Sequence, residues 1–94
     1  MKFEYNPAKS KTNAEKHGLS LEDAAGLWQI PSVEIEARTT GEPRFMLIAK
    51  LNNKFYSCIF TKRGETIRLI SARRSREDEE KTYHEHIGNK ENKS

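Results

Sequence analysis

Three strand-like segments, joined by turns of two to four residues, constrain the fold of this chain more than any other feature. Residues 44–51, 54–61 and 66–72 are rich in aliphatic and aromatic residues, which favour strands. They are separated by Asn52-Asn53, where asparagine tolerates positive φ, and by residues 62–65, which include a glycine. Because such short connections join antiparallel neighbours, the sequence predicts an antiparallel meander of these three strands.

Residues 32–38 and 1–5 predict two more strands. Val33, Ile35 and Ala37 alternate with charged residues, which indicates a strand with one buried face and one solvated face. Near the start of the chain, Phe3 and Tyr5 occupy alternate positions, as they would on one face of a short strand. The sheet is therefore expected to contain four to five strands.

Two helices between these strands are predicted mainly from their capping residues. Asn6 followed by Pro7 begins a helix that ends at Gly18, although this segment has almost no apolar stripe. Ser20 begins a second helix that ends before Pro31. The expected core face of the second helix consists of Leu21, Ala24, Ala25 and Trp28.

A final helix is predicted after the last strand, with Ser75 as its cap, Asp78 in a capping-box position, and Tyr83 and Ile87 as apolar contacts. The order β-α-α-β-β-β-β-α predicts an α+β fold, in which an antiparallel sheet carries its helices mainly on one face. Residues 1–87 are expected to form a single domain, and the polar residues 88–94 are expected to be a disordered tail.

The composition predicts a soluble cytoplasmic protein. Cys58 is the single cysteine, so an internal disulfide is impossible, and a free thiol fits a reducing compartment. The first residues lack the apolar segment of a secretory signal. The longest apolar run, residues 45–49, is too short to span a bilayer.

Charge is distributed unevenly around the last predicted strand. Residues 62–76 contain six basic residues and one acidic residue, and four acidic residues follow directly at 77–80. Guanidinium groups match the geometry of phosphate, so this segment can bind a polyanion; the alternative is that both groups are solvated surface charges. Arg68 favours a binding role, because an arginine within an apolar strand is costly unless it has a partner.

Two blocks of the sequence carry a family resemblance. The first is Phe3-Glu4-Tyr5-Asn6-Pro7-Ala8-Lys9 with Asn13, Lys16, His17 and Gly18, and the second is FTKRG at 60–64 with IRLISARR at 67–74 and Tyr83. Together these blocks, which span residues 3–83, resemble the BrnT family of toxins from bacterial type II toxin–antitoxin pairs. Three positions depart from the family pattern: Tyr5 replaces a usual tryptophan, Asn6 an aspartate, and Ala49 a common glycine.

The resemblance implies a fold like that of RelE-type ribonucleases and a metal-independent endoribonuclease activity that blocks translation. It also implies a partner, a BrnA antitoxin of the ribbon-helix-helix class, which neutralises the toxin in a heterotetramer of two toxins and two antitoxins. Operator DNA would be bound indirectly, through the antitoxin. The implied reaction needs no cofactor.

Metal-independent RNA cleavage requires attack by a 2′-OH on the adjacent phosphate, and therefore a base, an acid and cations. The catalytic candidates are His17, Arg63, Arg68, Arg73 and Tyr83. The substrate-binding candidates are Lys9, Lys16, Arg74 and Arg76. Structural alternatives remain open, since His17 can complement a helix dipole, Tyr83 can anchor the last helix, and the arginines can pair with the acidic block.

The remaining motifs argue against other chemistry. His84 and His86 do not predict a metal site, because residues two apart on a helix point to nearly opposite sides. The main alternative function is a non-catalytic module that binds nucleic acid or a partner protein through its arginines. Direct reading of DNA is disfavoured, since the sequence has no helix-turn-helix pattern with a basic recognition helix.

Overall fold

A computed structural model describes residues 1–37 and 41–91 of the chain. The elements follow the predicted order and are β1 (Lys2–Glu4), α1 (Pro7–His17), α2 (Leu21–Ala24), a 3₁₀ helix (Ala25–Gln29), β2 (Ser32–Ala37), β3 (Arg44–Leu51), β4 (Lys54–Arg63), β5 (Thr66–Arg74) and α3 (Glu77–Glu91). The α+β class is therefore confirmed. The predicted second helix is shorter than expected, because its second half is the 3₁₀ helix, and the predicted end of β2 at Arg38 lies outside the described residues.

The five strands form one sheet in the order β1-β5-β4-β3-β2. The strands β3, β4 and β5 pair antiparallel in sequence order, which confirms the predicted three-strand meander, and β2 pairs antiparallel with β3. The expectation of a purely antiparallel sheet is wrong, because β1 pairs parallel to β5, with Lys2 opposite Thr66 and Glu4 opposite Arg68. A short turn imposes antiparallel pairing only on strands adjacent in sequence, and no such turn links β1 to β5.

The hairpin turns have the backbone conformations that their residues favour. Asn52 and Asn53 both have positive φ, 52° and 63°. Positive φ at both central residues is typical of the two-residue type I′ turn, whose twist matches that of the flanking strands. Gly64 has a φ of 60° in the turn between β4 and β5, where a residue with a Cβ would be strained. These turns fix the register in which the side chains of β3, β4 and β5 meet.

Two hydrophobic clusters lie on opposite faces of the sheet. We call the face covered by α2 and the 3₁₀ helix the first face. Its cluster includes Leu21, Leu27 and the fully buried Phe60. The ring of Trp28 packs edge-on against Phe60, with 4.9 Å between the ring centres. The second face carries a smaller cluster under α3, made of Val33, Ile48, Phe55 and Tyr83, with Ile35, Met46 and Ile87 packed against it. The helices are thus divided between the two faces, because Tyr83 and Ile87 of α3 pack on side chains that alternate away from the first face.

The start of α3 differs from the prediction. Ser75 is not the cap, since its hydroxyl bonds to the Ser57 hydroxyl at 2.7 Å, and the helix begins two residues later at Glu77. Glu79, and not Asp78, closes the first turn by accepting a hydrogen bond from the backbone N–H of Arg76 at 2.9 Å. The helix continues to Glu91, past the predicted end at Ile87, and residues 92–94 of the predicted tail lie outside the described residues.

None of the helices in the described ranges is both long and apolar enough to cross a membrane.

Candidate active site

A groove of about 510 Å³ runs between α1 and β5, beyond the point where β1 ends. β1 pairs only with Thr66–Arg68 of β5. Beyond Arg68, the outer edge of β5 has no neighbouring strand among the described residues, and α1 packs against β5 instead. The groove is lined by Asn6, Ala8, Lys9, Thr12, Asn13, Lys16, His17, Ile70 and Ser71. It therefore unites three of the nine predicted site residues: Lys9, Lys16 and His17.

A β-bulge forms the wall of this groove on the side of the sheet. In the pairing of β4 with β5, Ile59 lies opposite Ser71 and Phe60 lies opposite Leu69, so Ile70 is an extra residue without an opposite partner. Bulges bend a strand and redirect its side chains, and they are common at sheet edges and beside active sites. Here the bulge turns the half-buried Ile70 and Ser71 toward the groove.

The cationic wall of the groove belongs to α1. Its N-terminus is capped as predicted, since the Asn6 side chain accepts hydrogen bonds from the N–H groups of Ala8 and Lys9. Its last turn ends as predicted at Gly18, which has a φ of 75°. Lys9 and Lys16 are seven residues apart and so lie on one face of the helix.

The groove is suited to a negatively charged ligand. Lys9, Lys16 and His17 are exposed, and no lining residue within the described ranges is acidic. Exposed ammonium groups bind phosphate as mobile point charges. His17 lies in the last turn of α1 and also lines the groove, so a structural role and a chemical role for this side chain are compatible.

Arg63 and Arg68 lie outside the groove, close to the end of β1. Glu4 contacts both guanidinium groups, at 3.8 Å from Arg63 and 3.5 Å from Arg68, and Glu42 accepts a hydrogen bond from Arg63 at 3.2 Å. The pKa of Glu42 is lowered mainly by its hydrogen bond with Arg63, which in turn raises the pKa of Arg63. Glu4 is therefore the partner that an arginine within an apolar strand requires. The Arg68 side chain is still 35% exposed, so a ligand can reach it.

Arg73 is engaged in a partly buried ion pair that fastens α3 to the sheet. Its two terminal nitrogens donate to the two carboxylate oxygens of Glu79 at 2.9 and 2.8 Å, and Ser57 Oγ donates to the same carboxylate at 2.8 Å. Burial alone would raise the pKa of Glu79, but the hydrogen bonds from Arg73, the Arg76 N–H and Ser57 lower it to about 2. Of the alternatives left open for the arginines, pairing with the acidic block is the one found for Arg73.

The three other predicted site residues are dispersed. Arg74 lies over the ring of Tyr56, with its guanidinium carbon 5.8 Å from the ring centre, and Arg76 is exposed at the start of α3. Tyr83 is 9% exposed and packs edge-on against Phe55 at 5.1 Å, so its ring anchors α3 on the second face. None of the three lines the groove.

The two histidines of α3 have contacts of their own. The His84 ring lies 5.2 Å from Phe55, and His86 Nδ1 lies 2.9 Å from the Thr82 carbonyl oxygen. Within residues 1–37 and 41–91, no three histidine, cysteine or acidic side chains are placed to share a metal ion.

The sequence indicated the cations of the groove but not what holds them in place. Ser10 and Asn13 are the buried residues of α1, and both are polar. Neither is among the predicted site residues, and Asn13 belongs only to the family motif. The signal that could have found them is the missing apolar stripe, because a helix that packs beside a sheet without one has to bury polar residues.

Comparison with known proteins identifies the family of the chain. No curated protein matches the chain. A family model described as "Ribonuclease toxin, BrnT, of type II toxin-antitoxin system" matches residues 5–79, which include all of α1, the groove and every strand of the sheet except β1. On the strength of this match, which covers well over half of its length, the chain belongs to the BrnT family of ribonuclease toxins.

Proposed function

We propose that this toxin is a metal-independent endoribonuclease and that the groove between α1 and β5 is its RNA site. The observation that carries the proposal is the union of Lys9, Lys16 and His17 along a groove whose described lining has no carboxylate. An RNA strand brings closely spaced phosphates, and two lysines on one helix face can neutralise neighbouring phosphates. Family membership supplies the reaction class, since the family is one of ribonuclease toxins.

The reaction begins with attack of a ribose 2′-oxygen on the adjacent phosphorus. The 2′-oxygen loses its proton to a base, a new P–O bond forms, and the bond to the 5′-oxygen breaks as that oxygen takes up a proton. The products are a 2′,3′-cyclic phosphate and a free 5′-OH. His17 is the proposed proton-transfer group, because imidazole gains and loses a proton near neutral pH.

Arg68 is the proposed source of transition-state stabilisation. It lies two residues before Ile70, about 7 Å along β5 from the groove wall, which is within the reach of an arginine side chain. Phosphate oxygens would replace Glu4, whose 3.5 Å contact with Arg68 is an exposed and therefore weak ion pair. Arg63 shares Glu4 with Arg68 and would extend the phosphate track.

The other candidates receive different proposed roles. Arg74 and Arg76 are exposed and would contact the RNA backbone outside the groove. Arg73 and Tyr83 act through the structure, Arg73 by its pair with Glu79 and Tyr83 by packing on Phe55.

A type II system includes a protein antitoxin as the partner of the toxin. We propose that the antitoxin is a BrnA-like ribbon-helix-helix protein, that the complex contains two copies of each chain, and that operator DNA is bound through the antitoxin. We propose the cytoplasm as the location of the free toxin, because its proposed substrate is cellular RNA.

The deciding experiment is RNA cleavage by antitoxin-free protein in the presence of EDTA. The variants are Lys16→Ala, His17→Gln and Arg68→Ala, and Lys11→Ala is the matched control, because Lys11 is an exposed lysine of α1 that does not line the groove. We expect His17→Gln to lower the cleavage rate by about 10²–10⁴, the range for general acid–base groups, and Lys11→Ala to leave it unchanged.

The chemistry of the products provides a second test. A substrate with a single 2′-deoxy sugar at the cleavage site should resist cutting there, and the cut RNA should carry a cyclic phosphate. Cleavage that EDTA abolishes, or products with a 5′-phosphate, would refute the proposed mechanism. RNA binding with no cleavage in vitro or in cells, and with graded losses across the arginine and lysine variants, would favour the alternative of a non-catalytic binding module.

A further inference from the structure

We infer that Asn13 is a positioning residue for the reaction, which holds the cationic face of α1 against the β5 bulge. This inference rests on the proposed groove as the RNA site and goes beyond it, because Asn13 has no charge and no acid–base chemistry of its own. Its side chain is buried, at 8% exposure, in the floor of the groove.

The amide of Asn13 binds the β5 edge as a neighbouring strand would. Its Oδ1 accepts a hydrogen bond from the N–H of Ala72 at 3.2 Å, and its Nδ2 donates to the carbonyl of the same residue at 2.6 Å. The Nδ2 group also donates to the Leu19 carbonyl at 2.7 Å, just after the end of α1. One side chain thus joins three backbone groups, two of which are 59 residues away in sequence.

No apolar stripe on α1 can replace this attachment. The buried residues of the helix are Ser10 and Asn13, and Ser10 bonds in a different direction, accepting hydrogen bonds from the N–H groups of Leu21 and Glu22. Ser10 therefore joins α1 to α2, while Asn13 joins α1 to the strand that carries the bulge.

The positions of the cations along α1 place them close to Asn13, so its hydrogen bonds also determine where the cations lie relative to β5. Lys9 lies four residues before Asn13, and Lys16 and His17 lie three and four residues after it, so all three flank it on the same helix face. A shift of the helix relative to β5 changes the distance from these cations to Ile70 and Ser71 together. Displacements of about 1 Å are enough to lower catalytic rates about 100-fold.

The test compares Asn13→Leu, which keeps the side-chain size and adds no charge, with the wild-type protein and with Val33→Ala. Val33 is buried in the second cluster, on the far edge strand, so its variant controls for destabilisation away from the groove. Each protein is assayed on one RNA oligonucleotide at a temperature well below its measured Tm. Under these conditions nearly all of each protein is folded. A variant that is less stable but has an unchanged groove should therefore keep the KM of the wild-type protein.

We expect Asn13→Leu to lower kcat about 100-fold and to raise KM, because the lysines that bind the phosphates move with the helix. Val33→Ala should change neither constant. An unchanged KM for Asn13→Leu, or a loss of activity no greater than that of Val33→Ala, would overturn the inference. Absence of cleavage by the wild-type protein would count against the proposed function, and the inference would then be decided by RNA affinity, which Asn13→Leu must weaken and Val33→Ala must not.

Discussion

Replacing Glu79 with glutamine removes the charge that holds α3 to the sheet while keeping the shape of the side chain. The carboxylate accepts two hydrogen bonds from Arg73 and one each from Ser57 and the Arg76 N–H. Although burial alone would raise the pKa of Glu79, these bonds lower it from 4.5 to about 2. At 1.36 kcal/mol per pKa unit, the fold stabilises the ionised form by on the order of 3 kcal/mol.

Glu79→Gln would leave the Arg73 side chain, which is only 24% exposed, without its counter-ion. We therefore expect a loss of about 2–3 kcal/mol in the free energy of unfolding at pH 7, somewhat below the cost of breaking a fully buried pair. In a domain of this size, the loss lowers Tm by about 10–20 °C.

The dependence on pH has a definite sign. Because the pKa of Glu79 is lower in the folded state, the stabilisation is fully present above about pH 4.5 and is lost as the pH falls toward 2. The Glu79→Gln variant lacks this contribution at every pH. The Tm values of the two proteins should therefore differ most near neutral pH and converge near pH 2.

The assay is thermal unfolding followed by circular dichroism between pH 2 and pH 7, with urea unfolding at pH 7 for the free energy. Glu85→Gln is the matched control, since Glu85 is an exposed glutamate in the middle of the same helix. The reasoning is refuted if Glu79→Gln unfolds within about 0.5 kcal/mol of the wild-type protein at pH 7. A difference in Tm that is as large at pH 2 as at pH 7 would also refute it, because the ionised carboxylate would not be its cause.

Three further predictions concern other parts of the chain. Tyr83→Phe should change the free energy of unfolding by less than about 0.5 kcal/mol and preserve RNA cleavage, whereas Tyr83→Ala should cost about 3–5 kcal/mol by removing the ring packed on Phe55. Lost cleavage in a folded Tyr83→Phe protein would instead assign a chemical role to the hydroxyl. Burial raises the pKa of Cys58 to about 12, so iodoacetamide should label this thiol only as fast as the chain unfolds; rapid labelling of the native protein would contradict that burial. Gly18→Ala should cost about 1 kcal/mol in urea unfolding, because the φ of 75° strains any L-residue even though an added Cβ has free space, and unchanged stability would show that the helix end relaxes.

Local chemistry was predicted well from the sequence. The cap at Asn6, the helix end at Gly18 and the turn at Asn52-Asn53 all depend on residues within one turn of each other, and the structure confirms each. The direction of β1 and the face chosen by α3 depend on packing between segments far apart in sequence. No local pattern encodes these features: the expected antiparallel sheet was wrong for β1, and the sequence did not indicate the face on which α3 packs.

The candidate site shows the same division between local and distant interactions. Lys9, Lys16 and His17 were predicted as cations of one helix with almost no apolar stripe, and the three residues line one groove. The partner of Arg73 could not be chosen from the sequence, because four acidic residues follow it and only Glu79 lies where helix geometry brings its carboxylate back to β5. The bulge at Ile70 could not be predicted either. The apolar residues around it are compatible with a regular strand as well as with a strand that has one extra residue.

The polar attachment of α1 explains how a small chain can present several cations on one helix. A helix held by hydrophobic packing needs an apolar stripe about 100° wide, which would use the positions that flank Asn13. Ser10 and Asn13 hold α1 through directed hydrogen bonds from a narrow strip, and this leaves the neighbouring positions to Lys9, Lys16 and His17. Buried amides are costly when unpaired, so this arrangement is stable only while Ala72 and Leu19 accept their hydrogen bonds. The same hydrogen bonds of Asn13 therefore determine both the geometry of the groove and the stability of α1, and a substitution at Asn13 should disturb both.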